Sequence, residues 1–327
     1  MKLLEQAINS KVSLKNILFA TDFSAVSEAA LPYAAAVSLR YGSTIHVVHV
    51  IPDSHLPLRP GAPDPSTLGA IYEEAPLVAQ EKVLQLADRL KGLPCQTHVR
   101  HGHTWEVLAD IIRENEIDLL VAGTHGRTGV GRLVMGSVAE EIFRRVSCPV
   151  LTVGPKVHTA TNLAAAGTRH QAPPPEINFE RILYATDFTD HSLAAASYAF
   201  SLTQEFQARL ALLHVIDQYG EDLHDKPGPI DEALRRLEAL RPEDAALLYE
   251  PEAAVEFGVP ADCILQAATE READLIVLGV RAATGRLGVS THLALTTAHK
   301  VISKSSCPVL TIRVEDSEGV KSWLDRP

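Results

Sequence analysis

The stretch KNILFATDFS, at Lys15–Ser24, carries the first clear structural signal of the 327-residue chain. It contains the short apolar run Asn16–Thr21, which predicts a buried strand, and it ends in Asp and Ser, which favour a turn. The same pattern returns 165 residues later as ERILYATDFT at Glu180–Thr189. A strand and turn that recur in this form indicate two copies of one unit.

Two further pairs of segments recur in the same order. They are DLLVAG at Asp118–Gly123 with DLIVLG at Asp274–Gly279, 156 residues apart, and SCPVLTV at Ser147–Val153 with SCPVLTI at Ser306–Ile312, 159 residues apart. Three ordered matches with nearly equal spacing indicate a tandem duplication. A period of about 160 residues is too long for a solenoid repeat and is typical of a whole domain.

The duplication divides the chain into domain 1 at residues 1–156, a linker at 157–178 and domain 2 at 179–327. Most of the linker, Thr159–Glu176, has no helical or strand periodicity, and it contains three consecutive prolines. Proline-rich segments are extended and semi-rigid. We therefore expect a spacer that tethers the two domains.

Within the first copy, apolar strands alternate with segments of helical periodicity. The predicted strands are Asn16–Thr21, Thr44–Ile51, Gln96–His101, Asp118–Gly123 and Pro149–Val153. The predicted helices are Ser24–Tyr41, Glu73–Lys91, Trp105–Asn115 and Ser137–Val146, with a Pro-rich loop at Pro52–Pro65. This alternation is typical of an α/β fold, so we predict two tandem Rossmann-like domains, each with a five-stranded parallel sheet flanked by helices.

The composition excludes several classes of protein. A formal net charge of -11 disfavours nucleic acid as a partner. No apolar run reaches the ~18 residues of a membrane span, and the N-terminus lacks the pattern of a secretory signal. Four cysteines in a chain of this length are no disulfide framework. We expect a reduced, cytoplasmic protein with no nucleic-acid or membrane partner.

The loop after the fourth strand, GTHGRTGVGRLVMGS at Gly123–Ser137, gives the sharpest functional signal. Ligands of open parallel sheets lie beyond the carboxyl ends of the strands. Gly123 has no Cβ to block a ligand, and Gly136-Ser137 places amides and a hydroxyl at a helix N-terminus, where anions bind. Arg127 and Arg132 could add positive charge. The loop therefore predicts a polyphosphate site.

Structural alternatives exist for the same residues. Ser137 with Glu140 forms a capping box, which needs no ligand, and the glycines could mark loop positions. Asp22 and Asp187 could cap a helix. The chain has no G-x-x-x-x-G-K-[ST] and no G-x-G-x-x-G after the first strand. These absences exclude a P-loop NTPase and leave a dinucleotide-binding Rossmann domain unsupported.

Three motifs together resemble the universal stress protein family: the A-T-D-F-S turn, the G-x2-G-x9-G-S loop and the S-C-P-V-L-T-V strand. The resemblance covers nearly all of both halves. It implies an adenine nucleotide alpha hydrolase-like fold with strand order 3-2-1-4-5 in each domain. It also implies that the fifth strands pair across an interface, which would make the two halves an internal pseudo-dimer and leaves a further homodimer open.

The ATP-binding branch of that family holds ATP through the first-strand Asp, the end of the second strand and the glycine loop. By resemblance, Asp22 would contact the adenine or ribose side and Val50 would pack near the adenine, while the loop residues would flank the ribose and phosphates. The residues carried over are Ala20, Thr21, Asp22, Val50, Gly123, Thr124, His125, Gly126, Arg127, Gly136, Ser137 and Val138. ADP or AMP would fit the same residues, and Mg²⁺ would arrive with the nucleotide, since no protein metal site is predicted.

The second copy departs from the motif. Gly279 remains, but Ala282 stands at the position of Gly126, and the loop Val280–Thr296 is three residues longer. Counted forward from Gly279, His292-Leu293 stands at the position of Gly136-Ser137. Counted back from Cys307, Leu295-Thr296 stands there instead. We therefore expect one nucleotide per chain, in domain 1, with domain 2 as a scaffold or partner surface.

Three functions remain open: a nucleotide-dependent stress-response regulator, a slow ATPase, and a ligand-free interaction module with an unknown protein partner. Hydrolysis needs a positioned water and usually a base. No Glu or Gln near the loop has an obvious base role, so we predict no catalytic residue. His125 either donates to phosphate, which would make binding pH-sensitive, or is structural.

Overall fold

The computed structural model describes residues 12–53, 65–124, 136–146, 148–157, 176–217, 227–242, 246–281 and 296–314. Its strands are β1 (Asn16–Ala20), β2 (Thr44–Ile51), β3 (Cys95–His101), β4 (Leu119–Gly123), β5 (Val150–Val153), β6 (Arg181–Ala185), β7 (Arg209–Ile216), β8 (Glu252–Phe257), β9 (Leu275–Arg281) and β10 (Val309–Val314). Its helices are α1 (Ala25–Glu28), α2 (Leu31–Tyr41), α3 (Pro65–Arg89), α4 (Thr104–Glu114), α5 (Ser137–Arg145), α6 (Asp190–Leu193), α7 (Ala196–Phe206), α8 (Pro227–Glu238), α9 (Pro260–Glu270) and α10 (Thr297–Lys304). The alternation of strands and helices confirms the α/β prediction in both copies.

All ten strands form one sheet in the order β3-β2-β1-β4-β5-β10-β9-β6-β7-β8. Each half has the strand order 3-2-1-4-5, and strands within a half pair in parallel. Between the halves, β5 and β10 pair antiparallel, with Leu151 opposite Leu310. The two predicted sheets are thus continuous across this pair.

One face of the sheet has a core that both halves share. Its buried cluster includes Val37 and Leu151 from the first half and Tyr198 and Leu310 from the second. Helices α2 and α7 meet on this face. The opposite face carries two separate clusters, one under α4 and α5 and the other under α9 and α10. The two halves therefore share one hydrophobic core on this face of the sheet.

Specific side-chain contacts reinforce the packing between α2 and the second half. The Tyr33 ring stacks on Phe179 with centroids 6.1 Å apart. The hydroxyl oxygens of Tyr41 and Ser201 lie 2.9 Å apart, within hydrogen-bond distance. Burial raises the pKa of both tyrosines well above the usual range, so their hydroxyls stay protonated at neutral pH.

The helix predicted at Ser24–Tyr41 is broken into α1 and α2. Pro32, in the first turn of α2, would clash with the preceding turn of a continuous helix. Proline is not the whole reason, because the second copy has the same break between α6 and α7 with Ser197 at that position. In both copies the short helix packs on the end of a central strand.

The helix predicted at Glu73–Lys91 starts earlier than expected. Helix α3 begins at Pro65 and continues through Pro76 to Arg89. Proline is tolerated at the first position of a helix, where its missing N–H would have no partner in any case. The sequence pattern misassigned this start because it treated proline only as a loop residue.

Candidate functional site

The carboxyl ends of β1, β2 and β4 bring several of the predicted site residues to one edge of the sheet. The parallel register places Ala20 opposite Val48 on one side and Ala122 on the other. Thr21 and Gly123 therefore follow neighbouring strand positions. His125, Gly126 and Arg127 lie outside the described residues.

Hydrogen bonds from both backbone and side chain fix the turn after β1. The Thr21 amide donates to the Val48 carbonyl at 2.9 Å, and the Phe23 amide donates to Thr21 Oγ1 at 3.0 Å. The Ser24 amide donates to Asp22 Oδ1 at 3.0 Å. Ser24, not Asp22, is the N-cap of α1, with its hydroxyl accepting from the Ser27 amide. The direct helix-capping alternative for Asp22 is therefore wrong, although its carboxylate does stabilise the turn.

Phe23 and His49 hold this turn in a conformation that the sequence reasoning missed. Phe23 has φ of 60°, the left-handed region, which costs an ordinary residue about 1–2 kcal/mol. Its ring packs on the His49 ring with centroids 4.2 Å apart, and His49 Nδ1 donates to the Thr21 carbonyl at 2.8 Å. The signal was available, because both residues recur in the second copy as Phe188 and His214.

Gly123 has a packing reason that involves no ligand. A Cβ at this position would approach the backbone of Val26 and Ser27 in α1 to 3.0 Å. At Gly279 the corresponding atom would come within 2.1 Å of the His191 carbonyl oxygen. A Cβ contact of 3.0 Å is tighter than most and one of 2.1 Å does not occur, so each glycine lets the short helix dock closely on the strand end. Packing of α1 therefore explains the glycine at this position without the close approach of a ligand that the sequence suggested.

Thr124 and Gly136 bring the two ends of the glycine loop together. The Thr124 amide donates to the Val153 carbonyl at 3.0 Å, and the Gly136 amide donates to the Thr124 carbonyl at 2.9 Å. This pairing places the start of α5 directly beside the end of β4. The arrangement matches a strand–loop–helix site at the carboxyl edge of a parallel sheet.

Helix α5 begins without a side-chain cap. Gly136 is its N-cap, Ser137 is its first helical residue, and no side chain that the structure describes bonds at the cap. The capping-box alternative for Ser137 and Glu140 is therefore wrong, because a capping box needs Ser at the N-cap itself. The first amides of an α-helix have no partner within the helix and carry partial positive charge. Such a terminus suits an anion.

Val50 and Ala20 belong to the apolar packing beneath α4 and α5. Val50 is buried in the cluster under α4 and α5, together with Leu18 and Val107, and the partly buried Ala20 packs against the same cluster. Val138, in the first turn of α5, is exposed. The structure thus places these two predicted residues in or against the same apolar cluster as α5.

The second half repeats the turn but not the helix terminus. Phe188 also has φ of 60°, and His214 Nδ1 donates to the Thr186 carbonyl at 2.9 Å. Helix α10, however, is capped by Thr296, whose hydroxyl accepts from the His299 amide at 3.2 Å. The predicted loop replacements at Ala282, His292, Leu293 and Leu295 lie outside the described residues.

The second half also extends its two central strands further. Register pairs continue to Arg313 with Val280 and Val314 with Arg281, whereas in the first half they stop at Gly123 with Val153.

Burial raises the pKa of Asp187, but hydrogen bonds from Thr189 and Ser192 more than offset it, so the pKa lies below its usual value. Asp187 is thus engaged within its own turn.

His101 and His103 are exposed, and Cys148 and Cys307 are buried. Trp105, in the first turn of α4, packs against the cluster beneath that helix. Within the described ranges, no three His, Cys, Asp or Glu side chains group closely enough to hold a metal ion. The helices in those ranges include none that is both long and apolar enough to cross a membrane.

A comparison with known protein families identifies the family of this chain. A model of the Universal stress protein family matches the chain twice, at residues 13–154 and 178–313. The chain belongs to the universal stress protein family. The two matches identify it as a tandem, two-domain universal stress protein and agree with the duplication in its sequence.

Individual relatives cover either one half or nearly the whole chain. A universal stress protein of Thermus aquaticus is 38% identical over 143 residues, which cover 41% of this chain and 99% of that protein. A universal stress protein of Mycolicibacterium smegmatis is 28% identical over 310 residues, which cover 91% of this chain and 96% of that protein. The crystal structure of a universal stress protein from Archaeoglobus fulgidus has a TM-score of 0.65 at 22% identity, covering 93% of this chain and 98% of that one. That structure shows the shared fold.

Proposed function

We propose that this universal stress protein binds one ATP molecule at the carboxyl edge of the domain 1 sheet and acts as a nucleotide-dependent stress-response regulator in the cytoplasm. The observation that carries the proposal is the uncapped start of α5 at Gly136, hydrogen-bonded to Thr124 at the end of β4. Such an N-terminus presents partial positive charge to an anionic group.

Each predicted residue has a role in this proposal. The amides of Ser137 and Val138 bind the phosphates. Gly136, whose own amide is held by the Thr124 carbonyl, has no side chain to block their approach to the helix start, and His125, Gly126 and Arg127 close over them from the loop. Asp22, held by the Ser24 amide, accepts hydrogen bonds from the ribose or adenine. The remaining contacts form the wall and the floor of the site: Ala20, Thr21, Val50, Gly123 and Thr124.

ADP and AMP share the adenosine part and bind at the same place with fewer phosphate contacts. Mg²⁺ enters with the nucleotide through phosphate and water ligands, as is usual for this ion. The site residues provide binding, and none of them is assigned a catalytic role. Slow hydrolysis is an outcome that the test below detects.

Domain 2 serves as a scaffold rather than as a second nucleotide site. The Thr296 hydroxyl already occupies the start of α10. Domain 2 also lies behind the proposed site, since a Cβ at Gly154 would be 3.8 Å from Thr124 Oγ1 and 3.5 Å from the Ile302 carbonyl oxygen. We propose that residues 1–156 and 179–327 form an internal pseudo-dimer across β5 and β10, and that other surfaces of this body contact a protein partner or a second chain.

The test is the nucleotide content of the purified protein. The protein is denatured, and the released nucleotide is separated by anion exchange and quantified per chain. About one ATP per chain supports the proposal, whereas ADP or AMP in its place calls for a turnover assay and favours a slow ATPase. An absence of nucleotide, with no uptake of added Mg-ATP in calorimetry, overturns the proposal and leaves the interaction module.

A further inference from the structure

Domain 1 has a second concave site on the other face of the sheet from α5. A cavity of about 220 Å³ lies between the β1 turn, α1 and the second half of α3. Its described lining residues are Phe23, Glu28, Lys82, Gln85, Leu86 and Arg89. None of these six belongs to the proposed nucleotide site. The volume exceeds the ~30 Å³ share of one water several-fold, so it has room for a small organic molecule.

The charges around this cavity are unbalanced. Arg89 Nη1 and Glu28 Oε2 form an ion pair at 3.0 Å, with side chains 12% and 29% exposed. Arg89 Nε is buried and has no hydrogen-bond partner among the residues that the structure describes. Lys82 Nζ lies over the Phe23 ring, 5.3 Å from its centroid. Two cations and one carboxylate thus line the cavity among the described residues, a second carboxylate, Glu81, accepts from lining Gln85 Nε2 at 3.3 Å, and part of the Arg89 donor capacity is unused.

The second half shows that folding does not require this polar set. In the ungapped alignment of the two turns, Glu28 corresponds to Leu193, which is buried. The cation above the Phe ring is kept, because Arg236 lies 4.0 Å from the Phe188 centroid. The covering of the Phe ring is thus common to both halves, whereas the Glu28–Arg89 pair beside it is particular to domain 1. A half-buried ion pair still costs desolvation and is weak evidence for stability, which points to another use.

We propose that this cavity binds a small oxyanion, either a carboxylate or a phosphate ester, with Lys82 and Arg89 as its cationic contacts and the Gln85 amide as a neutral donor. Guanidinium and ammonium groups form charge-assisted hydrogen bonds with both kinds of oxyanion. Glu28 competes with the ligand for Arg89 and repels it. The site is separate from the proposed nucleotide site and does not depend on it.

The test is an amide NMR titration of the full chain with inorganic phosphate and, separately, with succinate. The titrations use the Gly136→Thr variant, so that phosphate at the start of α5 does not contribute. We expect saturable shifts in α1 and in the second half of α3. Saturation by phosphate alone identifies a phosphate ester as the ligand class, and saturation by succinate alone identifies a carboxylate.

Two variants give opposite expected changes. Lys82→Gln removes an exposed cation and raises the Kd at least about threefold, the effect of losing about 0.7 kcal/mol. Glu28→Gln lowers the Kd, because the competing carboxylate is gone while the side chain keeps its shape. Arg236→Gln in domain 2 is the matched control and leaves the Kd unchanged. No saturable shift in α1 and α3 with either anion, or a Kd that neither Lys82→Gln nor Glu28→Gln alters, overturns the proposal.

Discussion

The turns after β1 and β6 make the same contacts, yet the helices that face them start differently. Both turns hold a Phe at φ of 60° against a His whose Nδ1 donates to the preceding Thr carbonyl. Helix α5 starts at a glycine without a side-chain cap, whereas Thr296 caps α10. The turn is therefore part of the shared scaffold, and the helix N-terminus is where the two halves diverge in their capacity for an anion.

The largest expected effect comes from giving domain 1 the cap of domain 2. Gly136→Thr should raise the Kd for Mg-ATP at least about 100-fold, because the Thr side chain would stand at the helix start and two hydrogen bonds to charged phosphates, worth about 1.5–3 kcal/mol each, would be lost. Calorimetric titration measures the Kd. The melting temperature should hold or rise slightly, because a Thr cap stabilises a helix by only a few tenths of a kcal/mol relative to a Gly cap.

The matched variant in domain 2 is Thr296→Gly. It should leave ATP binding unchanged and lower the free energy of unfolding by only a few tenths of a kcal/mol. A second equivalent of bound ATP in Thr296→Gly would show that the cap alone separates the two halves. Wild-type affinity in Gly136→Thr would show that α5 does not bind the phosphates.

A second difference between the halves lies under α4 and predicts acid sensitivity. His46 Nδ1 and His98 Nε2 are 3.1 Å apart, and domain 2 has Ala211 at the position of His46. Burial, and then the neighbouring His98, lowers the pKa of His46 from 6.5 to about 4. Burial, followed by Arg100, also lowers the pKa of His98.

Between pH 6.5 and about 4, the unfolded-state and folded-state pKa values of His46, the unfolded chain binds more protons than the folded protein. The free energy of unfolding should therefore fall by about 3 kcal/mol as the pH drops from 6.5 to 4 through His46 alone. Denaturant unfolding at a series of pH values measures this slope. His46→Ala, which copies domain 2, should make the slope shallower over this range, and an unchanged slope would rule out His46 as its source.

The paired aspartates test whether the two turns differ in function despite their similar contacts. Asp22→Ala should weaken ATP binding about tenfold, the effect of one lost hydrogen bond of about 1.4 kcal/mol. Asp187→Ala should leave ATP affinity unchanged. Both should destabilise the protein to a similar extent, which unfolding curves would measure. Equal loss of affinity in the two variants would indicate two working sites.

The smallest expected effect concerns the histidines that support the turns. His49→Leu should weaken ATP binding about threefold by releasing the turn that carries Asp22, and His214→Leu should not alter affinity. Each should lower the free energy of unfolding by about 1 kcal/mol through loss of its hydrogen bond to a Thr carbonyl. Loss of stability without loss of affinity in His49→Leu would restrict this histidine to a structural role.

The sequence predicted the fold well because its signals are local. The alternation of apolar runs and helical segments follows from burial on the faces of single strands and helices. It placed β2 at Thr44–Ile51 as observed and the other strands of domain 1 within one residue. It missed the start of α3 at Pro65 and the break after α1, because neither depends on hydrophobic periodicity.

The candidate site was harder to predict in detail. Ser137 and Glu140 fit a capping box in the sequence, yet the Gly136 amide pairs with the Thr124 carbonyl, and Gly136 rather than Ser137 is the N-cap, so the helix starts one residue earlier. The sequence suggested that Gly123 lets a ligand approach the backbone, whereas the structure shows that the backbone of α1 packs against this position. His49 gave no signal on its own, because its contact with Phe23 joins two different strand ends.

The sequence by itself determined the duplication, the α/β class, the family and the difference between the two glycine loops. Each of these depends on patterns within one segment or on the match between two segments. Tertiary structure alone decided the core shared across β5 and β10, the docking of α1 on Gly123, the uncapped start of α5 beside Thr124 and the cavity between Glu28 and Lys82. These features depend on distances between residues far apart in the chain, which packing sets and a linear pattern does not record.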